Sequence, residues 1–145
     1  MFSDFLSRLT QPQPEPLTDD DARLALTALL VRVARSDHDY ADTEMARIDR
    51  ITSQRYGLSP FEAAALRAQA EDLESEAPDT VRFTRAIKEA VPYDHRLGVA
   101  QALWSVALAD GQRSDREDSV IRLAVSLLGI SDVDSARARQ KAAKS

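Results

Sequence analysis

The chain has 145 residues, enough for one domain with its own core, and 43% of them are hydrophobic. With 24 acidic against 19 basic side chains, its formal charge is −5, which argues against a nucleic-acid partner, since phosphate binding needs a basic surface. The absence of cysteine excludes thiol catalysis, disulfide staples and cysteine-type zinc sites.

In chain order, Phe2, Phe5, Leu6 and Leu9 repeat at helical spacing and predict a short amphipathic helix. "QPQPEP", Gln11 to Pro16, breaks it and reads as a stiff connector, so residues 1–17 form a segment apart from a domain at 18–145. Membrane contact through residues 1–10 is disfavoured, because two turns bury too little area to anchor alone. No apolar run approaches the roughly 20 residues that span a bilayer, and no signal peptide is recognisable, so the expected location is the cytoplasm.

The domain reads as helices with clear punctuation. Thr18 is a candidate N-cap for a helix whose buried face is Leu24, Leu26, Ala28, Leu30, Val31, Val33 and Ala34. A second helix runs from about Asp42 to Tyr56, with Met45, Ile48 and Ile51 inward, and Gly57 stops it. "SPFE", Ser59 to Glu62, is a capping box that opens a third helix ending near Pro78. A fourth spans about 79–91 and a fifth about 94–109, with Trp104 in the core. "SDRE", Ser114 to Glu117, opens a sixth that ends at Gly129; Ser131 caps a last, largely polar helix that frays at "KAAKS". No alternating strand pattern competes, so the expected fold is all-α, a single bundle of about seven helices.

Two stretches align without a gap. "ARSDHDYADTEM" from Ala34 matches "ALADGQRSDRED" from Ala107, pairing Asp37 with Asp110, Asp42 with Asp115, and Glu44 with Glu117. Upstream, Leu30, Val31 and Val33 pair with Leu103, Trp104 and Val106; downstream, "YGLS" pairs with "LGIS" one residue out of phase. Such a long similarity predicts two repeated helical hairpins.

Asp37 and Asp110 fall at the C-terminal ends of their helices, where the helix dipole disfavours a carboxylate by a few tenths to about 1 kcal/mol. A bound cation would reverse that sign. Helix-end carbonyls with carboxylates make a hard oxygen environment suited to Ca²⁺, Mg²⁺ or Mn²⁺. Asp42, Glu44, Asp115 and Glu117 complete the candidate metal ligands, although each is also favourable at a helix start without any metal. An EF-hand does not fit: counted from Asp37, position 5 is Ala41, position 6 Asp42 and position 12 Ile48, so a metal site would need both loops.

The "ADG" of Ala109 to Gly111, the "SDRE" of Ser114 to Glu117, Ile121, and the counterpart "SDHDYADTE" together resemble the tellurite-resistance TerB-like family, over about Leu24 to Ile130. The resemblance implies an all-helical fold of two repeated units whose clustered acids bind a divalent cation, in a role tied to metal-oxyanion and membrane stress. Carried over by position, it points to Asp37, Asp42 and Glu44 and to Asp110, Asp115 and Glu117. His38 stands where the motif has Gly, and Ala41 where it has a capping Ser or Asp, which weakens the first site. The expected function is therefore a non-enzymatic, cation-binding stress-response scaffold with an unidentified protein partner. The alternative is a metal-free adaptor whose acidic face docks a basic partner. A hydrolase with paired carboxylates is disfavoured, because no nucleophile with a base partner is visible.

Overall fold

The computed structural model describes residues 19–36, 40–76, 84–85, 88, 93–108 and 115–144, with only the backbone described at 19–22, 93–95, 115–117 and 144. Among them are six helices and no strand: α1 Asp19–Arg35, α2 Asp42–Tyr56, α3 Pro60–Glu76, α4 Tyr93–Ala107, α5 Asp115–Leu127 and α6 Asp132–Lys144. The expected helix at 79–91 falls largely outside the described residues, although Thr84, Arg85 and Lys88 are helical. The 1–17 segment, Thr18 and Ser114 lie outside them as well.

Two helices form the middle of the bundle. Every residue from Ala25 to Val31 is buried, so α1 is covered on all sides rather than along one stripe. In α4, Val99, Ala100 and all of Ala102 to Ala107 are buried, Trp104 among them at 4% exposure. α1 packs on α4, α3 lies along α1, and α6 lies along α4. α2 touches α1, α3 and α4, while α5 touches α4 and α1. Each fully buried leucine or isoleucine of this core, such as Leu29, Leu30, Ile48, Leu103 and Ile121, contributes about 1.5–3 kcal/mol of transfer free energy.

The helix ends follow from local chemistry. Ser59 N donates to Glu62 Oε1 at 3.0 Å, and Glu62 N donates to Ser59 Oγ at 3.1 Å, so "SPFE" closes a reciprocal capping box. Hydrogen bonding from the Ser59 backbone first, and then from its side chain, holds the Glu62 carboxyl below its usual range. Asp134 N donates to Ser131 Oγ at 3.1 Å and caps α6. Gly57 (φ 67°) and Gly129 (φ 75°) adopt the left-handed conformation that ends α2 and α5, where a side chain would be strained.

One expectation fails. The last helix continues to Lys144 instead of fraying at "KAAKS". Ser135, Ala138 and Ala142 form a stripe of small buried residues along it, and tertiary packing on α4 offsets its polar composition. Among the described residues, no helix is long and apolar enough to cross a membrane.

Candidate functional site

Two of the acidic candidates of the first half, Asp42 and Glu44, lie in the first turn of α2. Ala41 is its N-cap, in extended backbone (φ −81°, ψ 159°), and has no side-chain oxygen to offer. Only one half of a capping box forms there: Ala41 N donates to Glu44 Oε1 at 3.2 Å. Glu44 is nevertheless 1% exposed, and its second oxygen, Oε2, is also buried. A carboxylate in such a place must be offset by hydrogen bonds and local potential, and the first turn of a helix supplies both. Asp42, two residues earlier, points outward and is exposed.

Asp37 and Asp110 lie outside the described residues. Asp115 and Glu117 have backbone in the first turn of α5, as expected, but their side chains are not described. Among the described residues no three acids or histidines come together in a way that could hold a metal ion. The described part of the candidate site is thus one buried glutamate and one exposed aspartate. Both donors are carboxylate oxygens, which fit a hard cation rather than a soft one.

Beside this helix start lies a polar network that sequence reasoning missed. Glu74 accepts from Arg32 Nε at 3.4 Å and from Arg35 Nη1 at 2.8 Å. Arg35 Nη1 also donates to Glu71 O at 3.2 Å and Ser75 Oγ at 3.1 Å. Tyr40 OH donates to Glu71 Oε2 at 2.6 Å, and Arg67 reaches that same oxygen at 3.1 Å. Arg67 Nε then pairs with Asp49 Oδ1 at 2.8 Å. The Arg35 guanidinium sits 5.1 Å from the centre of the Tyr40 ring.

This network joins the end of α1, the connection that follows it, the middle of α2 and the last turns of α3. Burial first, and then the Glu71 hydrogen bond, push the Tyr40 phenol above its ordinary value, so it remains a donor at any physiological pH. The Asp49 hydrogen bond is the largest influence raising Arg67, which keeps its charge. Some of this was legible as spacing: Arg67 and Glu71 are four residues apart, and Arg32 and Arg35 three. The pairings across 31 to 42 residues were not, because they require α3 to lie along α1.

An all-α bundle with a buried glutamate opening its second helix places the chain among small helical modules. The sequence model of the family described as Tellurite resistance protein TerB matches residues 23–140, from α1 into α6, and the chain belongs to that family. Comparisons with curated proteins and with solved structures gave no match.

Proposed function

We propose that the chain is a non-enzymatic TerB-type module that binds a divalent cation and acts as a cytoplasmic scaffold in a stress response of the tellurite-resistance kind. The ligands in this reading are Asp37, Asp42 and Glu44 together with Asp110, Asp115 and Glu117. The observation that carries it is Glu44, whose carboxylate is buried at the start of α2. Burying a carboxylate costs free energy, and a cation gives that cost a use. The Tyr40–Glu71–Arg67 network supports the reading by fixing the end of the connection from which Asp37 would act. When bound, the cation would supply a fixed positive charge drawing the two acidic connections together.

The test is calorimetric titration of chelator-treated protein with Ca²⁺, Mg²⁺, Mn²⁺ and Zn²⁺, alongside Asp37→Asn/Asp110→Asn. The expected result is saturable binding of an oxygen-preferring cation at well below millimolar concentration, lost in the double variant. If no cation binds and the variant is equally or more stable, the metal reading is overturned. The exposed acids, Asp42 among them, are then a solvated face for a basic protein partner.

A further inference from the structure

A groove of about 370 Å³ runs between α2 and α4. α2 lines it with Arg47, Arg50, Ile51, Gln54 and Arg55, spaced so that all five share one helix face. α4 supplies the other wall with Gly98, Gln101, Ala102 and Ser105, again one face of a helix. Among the described residues no carboxylate lines this groove, although acids outnumber bases in the chain.

The arginines here differ from those of the neighbouring network. Arg32, Arg35 and Arg67 each hold a carboxylate. Among the described residues, no carboxylate forms an ion pair with Arg47, Arg50 or Arg55. Arg47 Nη1 donates across the groove to Ser105 Oγ at 2.9 Å, which fixes one guanidinium against α4. Gly98 makes room for another: a Cβ there would come within 3.2 Å of Arg55 Nη1. Arg47 and Arg50, one turn apart, repel each other, and an anion between them would relieve that repulsion.

We propose that this groove binds a small anion carrying two or more linked phosphoryl groups. Guanidinium forks match phosphate oxygens in a bidentate way, and the Gln54 and Gln101 amides add neutral donors. From Arg47 to Arg55 the helix rises about 12 Å, too far for a single phosphate to engage every guanidinium but within reach of a phosphate chain. The volume suits a small ligand. An extended polyanion would be repelled by the rest of this acidic chain, whereas a ligand inside the groove senses charges within a screening length of about 8 Å. Among the described residues no proposed cation ligand lines the groove, although Glu44 lies one turn before Arg47 on α2, and the test uses chelator so that no cation takes part.

The experiment is calorimetric titration of the full chain in EDTA with tripolyphosphate and with ATP. The comparison is between Arg50→Gln/Arg55→Gln and the charge-matched control Arg122→Gln/Arg137→Gln on α5 and α6. Wild type and control should bind with Kd below about 1 mM, and the groove variant should bind about tenfold more weakly. Equal affinities for the two probes assign the groove to the phosphate chain alone. Tighter ATP binding assigns Ile51 and Ala102 to an organic body. Absence of saturable binding by either probe overturns the proposal, as does an equal loss in both double variants. Melting curves accompany each titration; should the groove double variant not fold, Arg50→Gln alone, at an exposed position, takes its place in the comparison.

Discussion

The α1–α3 half and the α4–α6 half bury the same kinds of positions but hold their outer helices by different means. Leu30, Val33 and Ile48 are fully buried in the first, and so are Leu103, Val106 and Ile121 in the second. In the first half, α3 is held to α1 and α2 by guanidinium–carboxylate pairs and by Tyr40. In the second, α6 is held to α4 by a stripe of small residues and by Trp104, whose Nε1 donates to Ser135 Oγ at 3.2 Å. The Arg139 guanidinium lies 5.2 Å from the centre of the Trp104 ring. α2 also packs on α3, and no comparable packing joins α5 to α6 among the described residues. The outer helix of each half is thus secured on its central helix by different means, by charge at a half-exposed seam in the first and by close apolar approach in the second.

The largest test of this comparison is in the shared core. Ile48→Ala and Ile121→Ala should each cost about 2–4 kcal/mol in chemical unfolding, since each leaves a cavity at a fully buried site. A marked inequality between the two would show that one half collapses around its cavity more readily than the other. Next come the seams. Glu71→Gln, which weakens contacts to Tyr40 and Arg67, and Trp104→Phe, which removes the Ser135 bond, should each cost about 1–2 kcal/mol. Salt separates them: in about 1 M NaCl the Glu71→Gln penalty should shrink while the Trp104→Phe penalty persists. Gly57→Ala and Gly129→Ala should each lower stability by about 1 kcal/mol, through strain at positive φ.

The smallest effect concerns alkaline pH. Burial is the main cause that raises both the Tyr40 and the Tyr56 phenols in the folded protein. A raised folded value gives stability that is complete below the unfolded phenol value of about 10 and is lost as pH rises beyond it. Melting temperature should therefore fall above about pH 10, and Tyr40→Phe should fall less steeply over that range. An unchanged slope in Tyr40→Phe would remove Tyr40 from this account.

The sequence by itself determined the helical class, most helix boundaries and the family, because capping boxes, glycine stops and apolar periodicity act within a few residues of chain. Ser59, Glu62, Gly57, Ser131 and Gly129 do in the structure what their local chemistry predicts. It also pointed to Glu44, by its place in the first turn of α2, although its near-complete burial could not be read from spacing. Tertiary structure alone decided that α1 is covered on every side, that Ala138 and Ala142 carry the last helix into the core, and that Arg67 meets Asp49 while Arg50 pairs with no acid among the described residues. These outcomes depend on which helices lie side by side. A pairing between residues tens of positions apart leaves no periodic trace in either segment, so packing sorts the arginines into those that brace α3 and those that line the groove.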